Sequence, residues 1–413
     1  MTLGYVLIAW LIVDFLFELV VEALNLSNVR AEVPAEFRDL YPADKYARAQ
    51  AYLRDTTRFG LVHRAILLAI FIAFWGWGGF ERLDVWAREW GAAWGGGEVT
   101  VGLFYIGALA VASRVLRLPF AIYSTFVIEQ RYGFNRTTPL TFAQDLVKGS
   151  ILAALIGGVA VAGVLWFFER TGEWAWLYAW AALAVFQLLL VFIAPTWIMP
   201  LFNRFTPLPE GELKEKVHAF AAKHGFRMSG IFTMDGSKRS SKANAFFTGF
   251  GAAKRIVLFD TLIQKHTVDE LVGVLAHEIG HYQLKHIFKM ILISLGFSAL
   301  SFYVVGLLMH DARLFAAFGI ERVSVYGSLV ALTILYGPLS RWISAFFSGL
   351  SRQHEFEADA YAAKTTQKPA DLALALKKLS VENLSNLHPH SLKVFLEYSH
   401  PPILERLRKL SVQ

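Results

Sequence analysis

Apolar residues along this chain gather in long unbroken stretches, not in the alternating or every-third-position patterns of a soluble domain. Seven such stretches fall at residues 3–24, 61–80, 101–127, 150–168, 174–199, 287–309 and 323–347, each close to the roughly 20 residues that a helix needs to cross a hydrocarbon core. The pattern predicts seven transmembrane helices. The first contains Asp14, Glu18 and Glu22, with no basic segment before it and no small-residue cleavage site, so it reads as a retained span and not as a signal peptide. Two polar segments, 200–286 and 348–413, stand apart from the spans. Within the first, GELKEKVHAFAAKHGF reads as an amphipathic helix closed at Gly225. SGIFTMD and NAFFTGFGAAKRIVLFDTL read as a small β element broken at Gly249 and Gly251. Residues 267–286 return to helix, capped by Thr267 or Asp269, with Leu271, Val274 and Leu275 at helical spacing. The expected organisation is five transmembrane helices in 1–199, a soluble segment in 200–286, two more spans in 287–347 and a soluble tail in 348–413.

Charge sets the topology. The segments 25–60, 128–149, 200–286 and 348–413 hold 30 Lys and Arg, whereas 81–100, 169–173 and 310–322 hold 5. Basic residues favour the cytoplasmic side, so the N-terminus is expected outside and the C-terminus inside, with both soluble segments on the cytoplasmic face as one α+β domain. Composition agrees: of 413 residues, 55% are hydrophobic and 18% charged, with mean hydropathy +0.43, against about 45–50% and 25% for soluble domains. Disorder and a wholly soluble protein are excluded. The net charge of +7 is explained by loop bias, and no nucleic-acid partner is expected. With no cysteine, any metal site must rest on histidine and carboxylate.

One pentapeptide carries such chemistry. His277-Glu278-Ile279-Gly280-His281 stands in the predicted helix 267–286, where residues four apart share a face. Two imidazoles can then reach one zinc ion, with Glu278 aimed at a water held there. A catalytic zinc needs a third protein ligand and an open position. His286 points to the opposite side of the helix, because nine residues at 100° each end half a turn away. Leu284 and Ile287 stand where an extended metzincin motif needs Gly and His. The better source is Glu355-Phe356-Glu357-Ala358-Asp359, with Glu355 on the metal and Asp359 accepting the outer N–H of a ligand histidine. His281 lies six residues before the sixth span and Glu355 eight after the seventh, so both sit on the order of 10 Å from the membrane on one side of a helical hairpin. The expectation is a His2Glu zinc site, one ion per chain.

Further residues frame it. Tyr398, His400 and Arg406 in the tail are candidate donors for an oxyanion, or simply a polar helix start followed by a charged face. Asn244, Ala245, Phe246 and Phe247 form a candidate edge strand for a peptide substrate, or a plain core strand. Asp14, Glu18 and Glu22 make an acidic stripe at i, i+4, i+8, Arg114 and Arg117 lie in the third span, and Arg341 lies in the seventh. Buried charges face partners or water, so spans one, three and seven are expected to border a polar chamber, or to form ion pairs near the interfaces.

The ordered set FVIEQRYGFN (126–135), NAFFTGFGAAKRIVLFDTL (244–262), HEIGH (277–281), EFEADAYA (355–362) and YSHPPILERL (398–407) resembles the type I CAAX prenyl proteases, seven-span zinc endopeptidases, over nearly the whole chain. The resemblance implies zinc on His277, His281 and Glu355, Glu278 as general base, and Asp359 beside the ligands. It implies His400 as a transition-state donor and Arg406 as a partner of the Glu355 side. It also implies a large water-filled chamber among the seven helices and, from the eukaryotic members, removal of three residues after a prenylated cysteine. The tail LRKLSVQ lacks a dilysine-type retention signal, and compact Ala-, Gly- and Arg-rich loops favour a bacterial inner membrane over the endoplasmic reticulum. The expected partners are a lipidated or membrane-associated polypeptide and membrane lipid, with the chain a monomer. Alternatives are a quality-control metalloprotease acting on unprenylated membrane proteins, a transporter with structural zinc, and a catalytically dead scaffold.

Overall fold

The computed structural model describes residues 2–248 and 254–412, so Gly249 and Gly251 lie outside the described residues. All seven expected spans form, and most run beyond the apolar stretch that announced them. The first is α1 (Thr2–Ser27), the second α2 (Ala43–Gly76), which starts well before the apolar run at 61. Gly78, at φ +71°, turns the chain into an amphipathic helix, α3 (Gly79–Ala93). The third span, α4 (Glu98–Tyr123), contains Pro119 and continues through a widened turn, Ser124–Glu129. The fourth joins α5 (Pro139–Leu152) to α6 (Gly158–Arg170) through a similar turn, and the fifth is α7 (Ala175–Ile193).

A small soluble region follows, with β1 (Phe205–Pro207), α8 (Glu212–Lys223), β2 (Gly230–Met234), β3 (Ala245–Thr248), β4 (Arg255–Phe259) and the single turn α9 (Asp260–Ile263). Next come α10 (Val268–Gln283), the sixth span α11 (His286–Leu308), the short α12 (Ala312–Phe318) and α13 (Val325–Thr366). This last helix is 42 residues long and carries the seventh span straight out into the soluble region. Three tail helices, α14 (Pro369–Glu382), α15 (Ser391–Glu397) and α16 (Ile403–Leu410), complete the chain.

The seven spans surround a hollow, and few of their residues are fully buried: at most 22% of any span's most apolar window, and none of α11's. Neighbouring spans still touch, as where the Trp180 indole on α7 donates to Ser298 on α11, and further packing lies at the two ends. At one end Leu7, Trp75, Phe80, Tyr105, Leu165, Phe318 and Tyr326 form a core from the ends of successive spans, with the Trp75 and Phe318 rings stacked 4.2 Å apart. At the other end the soluble region closes the hollow.

Buried charges tie the spans to that region. Arg341 on α13 makes two hydrogen bonds to Asp14 at 2.9 and 3.0 Å and reaches Glu18 at 3.3 Å; Arg64 also contacts Glu18. Lys393 on α15 holds Glu22 at 2.6 Å. The acidic stripe of α1 is therefore ion-paired. Arg114 and Arg117 behave differently: both are exposed, and they donate to the Leu146 carbonyl and the Ser113 hydroxyl, not to a carboxylate.

The sheet has the order β1-β2-β4-β3, with β2 and β4 parallel and the outer pairs antiparallel. β3 is an edge, registered Ala245 opposite Leu258 and Phe247 opposite Ile256. The loop before it is clamped to the membrane region. Arg239 grips Asp145 through Nε and Nη2 at 2.7 and 2.9 Å, Ser240 bridges Asn135, and Lys242 meets Glu129 at 3.2 Å and the Tyr52 hydroxyl at 3.0 Å. Glu129 and Asn135 belong to the FVIEQRYGFN stretch, which thereby fixes the approach to the edge strand.

Two predictions follow from this packing. Replacing Arg341 with Ala leaves Asp14 unpaired and Glu18 with Arg64 alone, and should destabilise the protein by about 3–5 kcal/mol, seen as a large fall in melting temperature in detergent; an unchanged melt would refute the pairing. In Gly280, a Cβ would sit 3.1 Å from the Tyr361 ring and 3.3 Å from the Ala358 backbone. Gly280→Val should therefore cost about 1–3 kcal/mol by overpacking and spread α10 from α13, which a wild-type melting temperature would contradict.

Candidate metal centre

The local sequence explains why α10 is rigid. Thr267 accepts from the Glu270 amide while the Glu270 carboxylate returns to the Thr267 amide, a reciprocal cap. Asp269 in the same turn holds Lys216 and Lys368 at 2.7 and 2.8 Å, which lowers its pKa to about 2. Leu271, Leu275 and Ile279 bury one flank against the sheet, and Val274 and Ala276 bury another against α13 and α14. The next residues on this held helix are His277 and His281.

Across from them, α13 supplies Glu355 and Asp359, one turn apart. His277 Nε2 lies 3.1 Å from His281 Nε2 and 3.4 Å from Glu355 Oε2, and His281 Nε2 lies 3.2 Å from Glu355 Oε1. Four-coordinate tetrahedral binding at about 2.0–2.1 Å separates neighbouring nitrogen and oxygen ligands by about 3.3 Å, so the three side chains are spaced as the edges of such a site. Glu355 Oε2 is also buried without a hydrogen bond, an acceptor that a cation would satisfy. Burial works to lower the His277 pKa, and the Asp359 and Glu355 carboxylates outweigh it, raising it to about 9. The pocket favours positive charge at this imidazole. The residues present thus fit a divalent metal.

The surroundings orient that set. Asp359 Oδ1 lies 2.9 Å from His277 Nδ1, close against the outer edge of that ring. Arg406 on α16 grips Asp359 through Nε and Nη2 at 2.8 and 2.7 Å, with Nη1 3.3 Å from Glu355 Oε2. It is only 7% exposed, so three charged groups are buried together and mutually compensated. Glu278, the next residue on α10, faces the cleft, and burial raises its pKa above the ordinary carboxylate range.

A cavity of about 410 Å³ opens over these residues, lined among others by Asn244, Ala245, Glu278, Tyr398 and His400. His400 Nε2 stands 3.4 Å from Glu355 Oε1, and Ser399 Oγ is 2.9 Å from its Nδ1. Arg352 donates to the carbonyls of Val394 and Tyr398 at 2.8 and 2.7 Å and so fixes the turn from which His400 projects. Burial pushes the Tyr398 phenol up to about 12. His277, Glu278, His281, Glu355, Asp359, His400 and Arg406 therefore meet at one place.

The candidate edge strand lies at the sheet edge as β3, with Asn244 and Ala245 lining the cavity, while Phe246 packs on Phe259 and Phe247 on Phe226 and Tyr282. One expectation needs correction, that for His286. The helix does not continue to it but ends at Gln283; Lys285, at φ +58°, takes the left-handed conformation, and α11 begins anew. Such a residue costs about 1–3 kcal/mol. The turn brings His286 Nδ1 to 3.1 Å from His281 Nδ1, where an unbroken helix would have carried it away. The opposite cavity wall, with Asn383 and Asn386, carries no motif that would have announced it.

Comparison with known proteins gives a consistent answer. A family model described as the CAAX prenyl protease N-terminal region, five membrane helices, matches residues 22–204, and the Peptidase family M48 model matches 207–413. A CAAX prenyl protease 1 homolog of Arabidopsis thaliana is 34% identical over 98% of this chain and 96% of its own length. The Homo sapiens homolog is 32% identical over 94% and 90%. A crystal structure of S. mikatae Ste24p superposes with a TM-score of 0.92 at 32% identity, covering 98% of both chains. With both of its regions matched and its seven spans in place, the chain belongs to the CAAX prenyl proteases of peptidase family M48, multi-pass membrane metalloproteases.

Proposed function

We propose that this metalloprotease is a zinc endopeptidase that cuts near the C-terminus of prenylated or otherwise membrane-associated polypeptides. The observation that carries the reading is the triangle of His277, His281 and Glu355 at 3.1–3.4 Å, with Glu278 beside it on the cavity wall. Zinc is the metal best matched to two imidazoles and a carboxylate in a tetrahedral set, and when bound it would polarise the scissile carbonyl and acidify water.

The chain's own groups do the rest. Glu278 takes the proton of the attacking water and returns it to the leaving amine, a role suited to a carboxylate whose pKa is raised. His400 donates to the carbonyl oxygen as negative charge develops on it. Asp359 and Arg406 hold His277 and Glu355 against rotation. The edge of β3 at Asn244 and Ala245 offers main-chain groups to an extended peptide.

Segments 200–286 and 348–413 act as one peptidase domain, a reading supported by Lys378 on Glu270 and Lys265 on Glu382. The excess of basic residues on that side supports a cytoplasmic position for it, and the compact loops suit a bacterial inner membrane, although the relatives named above are eukaryotic. The loosely packed spans would shelter the greasy part of a substrate while its peptide reaches the cleft. The chain is read as a monomer, a state that the grouping of His277, His281 and Glu355 within one chain permits.

Glu278→Gln should keep one zinc per chain and lose turnover of a farnesylated CAAX peptide by about 10²–10⁴-fold, whereas full activity would refute its role. Replacing Glu355 with Ala should abolish metal retention, checked by metal analysis. His400→Ala should keep metal and lower kcat by about 10²–10³-fold; a change in KM alone would argue against transition-state donation. Cleavage of only unprenylated membrane substrates would move the reading to quality control.

A further inference from the structure

The hydrogen bonds around His281 lead beyond the cavity to a group of side chains with no part in the chemistry above. His281 Nδ1 faces His286 Nδ1 at 3.1 Å, and His286 Nε2 faces Glu357 Oε2 at 2.9 Å. Gln353 donates to the other oxygen of Glu357 at 2.9 Å. The His286 ring lies flat on His354, with centroids 4.0 Å apart and planes 9° off parallel, and His286 is 2% exposed.

We propose that His286 and Glu357 are positioning residues that set the tautomer and ring angle of His281 for metal binding. The inference rests on the reading of His281 as a metal ligand. A ligand imidazole offers the lone pair of one nitrogen and carries its proton on the other. With Nε2 turned to Glu355 and His277, the His281 proton sits on Nδ1 and is donated to His286. His286 Nδ1 must then be an acceptor, so its own proton is on Nε2, and the carboxylate facing that nitrogen accepts it. One tautomer assignment satisfies every contact in the series.

The backbone supports the same conclusion. The left-handed residue Lys285 is what returns His286 to His281 after α10 ends, and Glu357 is two residues from Glu355 on α13. The relay therefore spans α10, α11 and α13, the three helices that frame the metal site. His277 has an equivalent support in Asp359, and this relay gives His281 its counterpart.

The test uses full-length protein in detergent, with zinc affinity measured by chelator competition and the cobalt-substituted protein examined by visible absorption. His286→Phe should weaken zinc binding about 10–100-fold and alter the cobalt spectrum. His286→Asn, whose side-chain oxygen can accept in nearly the same place, should recover most of the affinity. Wild-type affinity and spectrum in His286→Phe, or no recovery in His286→Asn, would overturn the proposal. Should the Phe variant not fold, Glu357→Leu removes the partly exposed end of the relay, and unchanged affinity and spectrum there would overturn it equally. Failure of the wild-type protein to bind zinc would overturn the ligand assignment itself; tight wild-type binding with an unaffected His286→Phe would overturn this inference alone.

Discussion

The site depends on how closely α10 can lie against α13. Two histidines on one helix and a glutamate on another meet within metal-binding distance only if the backbones nearly touch, and Gly280 against Ala358 and Tyr361 allows that approach. The contact is narrow, with no side chain on Gly280 and one methyl on Ala358. From it follow the 3.1–3.4 Å spacing of the ligand atoms and the burial of Asp359 behind His277. The ion pair of Arg406 with Asp359 closes the back of the site.

The membrane region is built to a different rule. Few residues of its spans are fully buried, and shape is held by contacts between neighbouring spans, by aromatic packing at one end and by the peptidase region at the other. Charges that would be costly in hydrocarbon are spent on that linkage. Asp14 and Glu18 meet Arg341 on the helix that carries Glu355, and Glu22 meets Lys393 on the helix before His400. The intramembrane acids and the cleft are thus parts of one frame.

Much of this was legible in the sequence because it rests on periodicity. Twenty-residue apolar runs announce spans whatever surrounds them, and His277 and His281 must share a helical face. Glu355 became legible through topology, since two spans in a hairpin return to the same side. What escaped depends on tertiary detail. The break after Gln283 has no glycine or proline to mark it: Lys285 adopts φ +58° between α10 and α11, so the position of His286 was read from a helix that does not continue. Which face of 244–247 meets the cleft likewise depends on strand pairing, and the pairing turns Phe246 and Phe247 away. Arg114 and Arg117 on the third span are exposed, and their contacts are to Leu146 and Ser113.

The central claim is that three side chains from two segments, His277, His281 and Glu355, hold one zinc ion. Anomalous diffraction from crystals of the purified protein, collected on both sides of the zinc absorption edge, tests it most directly. The account predicts a single strong zinc peak between those three side chains. A peak elsewhere, or a peak that does not follow the zinc edge, would contradict it.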